Sequence, residues 1–125
     1  MLDHVSVPFE RGRPDVMTVT IELEPGALGS GPHRHSGPVF GYLIEGELIF
    51  ELEGEPERVI KAGEAFWEPG GDLVHWQAAN NLADGYTTFL AVMVCAPGVE
   101  MLTYLTPQAI AERQHLRAPR PAKAA

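Results

Sequence analysis

The stretch PHRHSGPVFGYLIEGE, residues 32–47, decides the fold. In an extended strand, residues i and i+2 point to one face. His33 and His35 therefore aim two imidazoles into the same space. Val39–Glu45 reads as a strand that is apolar on both faces, and Glu45, Gly46 and Glu47 read as a hairpin turn. A strand of that kind needs cover on both sides, which predicts a second subunit against one of them. A third histidine, His75, arrives from a distant strand. Neutral imidazole is the commonest side-chain metal ligand. Three of them would form a half-shell around a divalent cation and leave the other half open to water, substrate or dioxygen.

Outward from this stretch the chain reads as short strands separated by turns. Met17–Glu24 alternates, with Met17, Val19, Ile21 and Leu23 on one face, which predicts a half-buried strand. Pro25–Pro32 is a Gly/Pro/Ser loop. Leu48, Phe50 and Leu52 alternate with Glu47, Ile49, Glu51 and Glu53; Arg58–Ile60 is a short strand, and Lys61–Gly63 a tight turn. Ala65–Glu68 is a strand stopped by Pro69, Gly70, Gly71 and Asp72. Val74–Ala79, Tyr86–Cys95 and Met101–Leu105 complete the set. Thr106 followed by Pro107 looks like an N-cap with proline at the first helical position, and Ile110–Leu116 would carry one short helix. The expectation is an all-β antiparallel sandwich or barrel with a short C-terminal helix. Residues 1–116 are expected to form one domain, and residues 117–125, rich in Pro, Ala and basic residues, a frayed, disordered tail.

Composition narrows the partners. The 125 residues carry a formal net charge of −8, which disfavours nucleic acid and anionic membrane. The best apolar run, Phe89–Ala96, is too short to span a bilayer. The first residues show no basic segment followed by an apolar one, so no signal peptide is expected and the cytoplasm is the expected compartment. A single cysteine, Cys95, excludes an internal disulfide framework.

At the histidines the chain resembles the cupin superfamily, in particular its small single-domain members. The family's first motif, Gly-x5-His-x-His-x3/4-Glu-x6-Gly, maps on residues 26–46: His33 and His35 are the paired histidines and Gly46 closes the frame. Both counts, forward from His35 and back from Gly46, place the family's glutamate at residue 39, which here is valine. Gly26 lies one position early. The second motif, Gly-x5-Pro-x-Gly-x2-His-x3-Asn, maps on residues 63–80 through Gly63, Pro69 and Gly71. His75 falls one residue late, and Asn80 one later again. The resemblance covers roughly residues 16–96 and implies a double-stranded β-helix, or jelly-roll cupin barrel. It implies His33, His35 and His75 as ligands of one divalent transition metal, with Fe(II) first among Fe, Ni, Zn, Mn, Co and Cu.

The missing glutamate has a chemical consequence. Three neutral imidazoles leave a divalent site near +2, which holds metal less tightly but makes it more Lewis-acidic. Such a site suits a small chelating anion: a diketone, enolate, phenol or thiol. It is similar to the three-histidine sites of cupin dioxygenases, so a metal-dependent dioxygenase or oxygenase is the first expectation. A non-redox isomerase, cyclase or lyase, or a non-catalytic small-ligand-binding cupin, are the alternatives. A homodimer is the expected assembly.

Strand parity suggests the pocket walls. If His33 and His35 face inward on an unbroken strand, Val39, Gly41 and Leu43 do too, while Phe40, Tyr42 and Ile44 face away. If His75 faces inward, so does Gln77, as a polar pocket residue or weak fourth ligand. Phe50, Trp76, Phe89 and Met93 are expected as walls, with Phe66 and Trp67 as further candidates. His4 and His115 read as solvated, Cys95 as a small buried hydrophobe, and the glutamates of the hairpin as charges that discourage edge pairing.

Overall fold

The computed structural model describes residues 15–119. Nine strands follow one another: β1 (Asp15–Leu23), β2 (His33–His35), β3 (Val39–Glu45), β4 (Glu47–Leu52), β5 (Arg58–Lys61), β6 (Ala65–Glu68), β7 (His75–Asn80), β8 (Thr87–Cys95) and β9 (Leu102–Tyr104). One helix, α1 (Pro107–Arg113), comes last and tightens into a 3₁₀ turn over Gln114–Leu116. The strands form two antiparallel sheets, β1-β8-β3-β6 and β5-β4-β7-β2-β9. Each expected strand is present with ends shifted by at most two residues. This is the double-stranded β-helix, a jelly roll whose sheets pack face to face.

The apolar alternation fixes which side chains fill the interior. Val39, Gly41 and Leu43 on β3 point in, as do Thr87, Phe89 and Ala91 on β8. They meet Leu48, Phe50 and Leu52 from β4 and Ile60 from β5. Gly41 is dictated by a close approach. The Phe66 ring, on its partner position in β6, lies where a Cβ would be, 2.1 Å away. Gly46 turns the β3–β4 hairpin at φ +88°. A Cβ there would sit 2.3 Å from Thr87 Oγ1, and that hydroxyl accepts from the Glu47 amide at 3.0 Å.

The late Asn80 of the second motif has a structural cause. Between β4 and β7, Phe50 pairs with Ala78 and Glu51 with Gln77, but Leu52 pairs with His75. Trp76 is thus an extra residue in β7, a β-bulge. It takes up the additional residue between His75 and Asn80, so Asn80 still reaches its buried post. There its amide donates to the carbonyls of Glu24 at 2.9 Å and Gly85 at 2.8 Å, and its oxygen accepts from the Leu82 amide at 2.9 Å.

The C-terminal segment is docked rather than frayed at its start. Thr106 caps α1 by accepting from the Ala109 amide at 3.1 Å. Arg113 pairs with Glu53 and Asp72. Arg117, expected to begin the tail, reaches both oxygens of Glu51, at 2.8 and 2.6 Å, and lies 4.8 Å over the Trp76 ring. A bidentate guanidinium–carboxylate pair backed by an aromatic face outweighs the Pro/Ala composition that suggested disorder. Residues 120–125 and His4 lie outside the described residues.

The outer face of the four-stranded sheet is apolar, as the two-sided pattern of Val39–Glu45 implied. Phe40 stacks on Trp67 with ring centroids 6.4 Å apart, beside Leu90 and Val92. Tyr42 is 44% exposed and Ile44 is 50% exposed.

Candidate metal centre

The three histidines converge. β2 pairs with β7 so that His33 lies directly opposite His75, and His35 shares the face of His33 two residues on. All three are buried. One ligand nitrogen from each lies within 4.8 Å of the others. The His33 ring centroid is 4.8 Å from that of His35 and 4.9 Å from that of His75. The His33 Nδ1–H donates to the Gly31 carbonyl at 2.8 Å, which fixes the tautomer and leaves Nε2 with a bare lone pair.

A carboxylate that the motif reading missed joins them. Glu68, the last residue of β6, is 2% exposed. Its Oε2 lies 2.8 Å from His75 Nδ1 and its Oε1 3.8 Å from His35 Nε2. The first contact lacks the alignment of a hydrogen bond and the second is too long for one, and Glu68 Oε1, His35 Nδ1 and both His75 ring nitrogens are buried without a hydrogen-bond partner. Buried polar atoms are normally paired. A cluster of unpaired nitrogens and an oxygen is the donor set a transition metal takes, so the residues present fit the ion that the fold implies. An anionic side chain thus lies within 4 Å of two of the three rings.

The protonation states suit metal ligation. Burial drives the His33 imidazole down from 6.5 to about 4, with its histidine neighbours adding to the effect against the Gly31 hydrogen bond. Burial also lowers His35, although Glu68 opposes it. Burial pushes the Glu68 carboxyl up, but the His75 contact and the surrounding imidazoles outweigh it and hold the group below the usual carboxylate range.

The histidines and Glu68 line a cavity of about 300 Å³. Ile21, Leu23, Phe66, Phe89 and Ala91 form its apolar walls, and Tyr104 and Leu102 stand near the histidines. Of the residues expected as walls, Val39, Phe66 and Phe89 line this cavity. Phe50 stands behind His75, with ring centroids 4.6 Å apart, and Met93 packs on the core from β8. Gln77 and Trp76 are not in the lining. The bulge at Trp76 reverses the parity after His75, so Ala78 faces the cavity and Gln77 faces away. Gln77 donates from Nε2 to Glu51 at 2.7 Å and Glu57 at 2.8 Å, while Trp76 packs beneath Arg117. Trp67 lies on the outer face against Phe40. Glu68 and Tyr104 were missed. The one signal for Glu68 was a charged residue ending a strand just before a proline turn.

Sequence comparison agrees with this architecture. The family model described as Cupin domain matches residues 19–93. The chain belongs to the cupin family. No curated protein sequence matches this cupin. Among solved structures it is similar to an uncharacterised conserved protein with a double-stranded β-helix domain from Klebsiella pneumoniae. The two are 25% identical with a TM-score of 0.56 over 78% of this chain and 79% of that one. It is also similar to an oxalate oxidase, at 25% identity and a TM-score of 0.58 over 72% of this chain and 46% of that one. The DMSP lyase DddQ from Ruegeria pomeroyi, at 19% identity and a TM-score of 0.59 over 74% and 44%, shares the fold. The cupin chain thus spans most of the Klebsiella protein but under half the length of the other two. No helix among the described residues is long and apolar enough to cross a membrane.

Proposed function

We propose that this cupin binds one divalent transition metal through His33, His35 and His75 and is an oxygenase-type enzyme for a small chelating organic anion. The convergence of three buried imidazoles in the wall of a largely apolar cavity carries the reading. When bound there, a first-row metal such as Fe(II) would supply Lewis acidity and a route for electrons to dioxygen. The protein contributes the rest. The Gly31 carbonyl holds the His33 ring in its ligating tautomer. The apolar walls exclude water and leave room for a ligand of a few carbons, because about 300 Å³ is at the small end of ligand pockets. Tyr104, with its ring 6.0 Å from His33, places a hydroxyl-bearing ring beside the cluster for a polar substrate group. Likeness to an oxalate oxidase supports a small chelating anion as the substrate class.

The test is oxygen uptake by Fe(II)-loaded protein with a panel of diketones, phenols and thiols, run beside elemental analysis of freshly purified material. Turnover of any of them without oxygen consumption, supported equally by Zn(II), would replace this reading with Lewis-acid isomerase or lyase chemistry. Ligand-induced thermal stabilisation without turnover would leave a binding protein. The same reading includes a homodimer through the outer apolar face around Tyr42 and Ile44. A monodisperse monomer in light scattering would remove it.

A further inference from the structure

The family frame puts a glutamate at residue 39, and this chain has valine there. The sheet register shows what stands next to that valine. Val39 on β3 pairs with Glu68 on β6. Antiparallel partners project to the same face with Cβ atoms about 4.5–5.5 Å apart. A carboxylate from position 68 therefore emerges at the end of the barrel where one from position 39 would. Both residues line the cavity beside the three histidines.

The surroundings of Glu68 separate two roles. Among the described residues no lysine or arginine touches it; its contacts are His75 and His35. A carboxylate that only oriented His75 would accept an in-line N–H hydrogen bond. Here Oε2 approaches Nδ1 to 2.8 Å without that alignment, and Oε1 has no hydrogen bond while it lies 3.8 Å from His35 Nε2. Buried polar atoms are normally paired, and the protein supplies no hydrogen-bond partner to Glu68 Oε1 or His75 Nδ1. We infer that Glu68 is the carboxylate ligand of the metal, supplied from the strand beside the one the family uses, so that the donor set is His33, His35, His75 and Glu68. This rests on the metal-binding reading of the histidines. It makes the loaded site near +1 rather than +2, and it leaves Val39 as an apolar wall next to the carboxylate.

The ligand can be moved back. Co(II) is titrated into the metal-free protein, with affinity read by calorimetry and coordination by the visible d–d spectrum. Wild type, Glu68→Gln, Val39→Glu/Glu68→Val and His75→Ala are compared, each checked by thermal melting. Glu68→Gln, close to isosteric, should weaken Co(II) binding by about 10- to 100-fold and shift the spectrum. The double variant should regain most of that affinity. Glu68→Gln with affinity and spectrum unchanged would overturn the inference. So would a folded double variant no tighter than Glu68→Gln, because that result would make Glu68 a positioning residue for His75. His75→Ala tests the underlying site independently. If it binds Co(II) as wild type does, the three-histidine reading fails, whatever Glu68 does.

Discussion

Glu51 and Glu68 are equally buried, 3% and 2% exposed, yet they live in opposite surroundings. Glu51, on the outer side of β4, takes two hydrogen bonds from Arg117 and one from Gln77. Glu68, on the inner side of β6, meets two imidazoles without an aligned hydrogen bond from either. Burial of a charge is costly unless it is paired. Glu51 repays that cost locally by tying the C-terminal segment to the sheet. Glu68 does not, and the deficit falls beside the three histidines. A satisfied buried carboxylate marks structure; an unsatisfied one, among other unsatisfied donors, marks a site.

The largest expected effect falls on the inner cluster. His75→Ala should weaken binding of a divalent transition metal by at least about 100-fold, more than loss of an outer partner would, with little change in the melting curve of the metal-free protein. Calorimetric titration checks it, and unchanged affinity would break the contrast at its inner end. Next, Glu51→Ala should act in the opposite manner. It removes the carboxylate that holds the Arg117 guanidinium and one of the two acceptors of the Gln77 amide, costing about 2 kcal/mol. That would lower Tm by roughly 5–10 °C while leaving metal affinity within about twofold. A variant that lost metal instead would show that the outer latch supports the site.

A smaller effect comes from acid. In the metal-free protein the folded His33 imidazole has its pKa lowered from 6.5 to about 4. The unfolded chain therefore takes up this proton first as pH falls. The His33 contribution to stability is intact above 6.5 and declines as pH drops toward about 4. Thermal melts across that range should show the decline, and a His33→Gln variant should show less of it. The smallest effect is expected at Gln77. Because it faces Glu51 and Glu57 rather than the cavity, Gln77→Ala should change metal affinity by less than about twofold and lower Tm by only a few degrees. A large loss of metal would restore Gln77 to the pocket.

Much of this molecule could be read before any coordinates. The period-2 alternation in Met17–Leu23, Val39–Glu45 and Leu48–Leu52 follows from strand geometry, which is local. The turn glycines follow from backbone conformation, which is also local; Gly46 adopts the positive φ its turn requires. The paired histidines share a face for the same reason. Gln77 was misplaced because parity holds only along an unbroken strand. The bulge at Trp76 is set by how β7 pairs with β4, not by the residues around it.

The sequence by itself determined the strands, the turns, the inward histidine pair and the absence of a carboxylate at residue 39. Only the tertiary structure decided that His75 closes on His33 across a strand pair, that Arg117 docks on Trp76, and that Glu68 lies beside Val39. The physical reason is that side-chain direction along a strand depends on neighbours one or two residues away. Which strands lie side by side, and in what register, depends on burying surfaces from residues scores of positions apart.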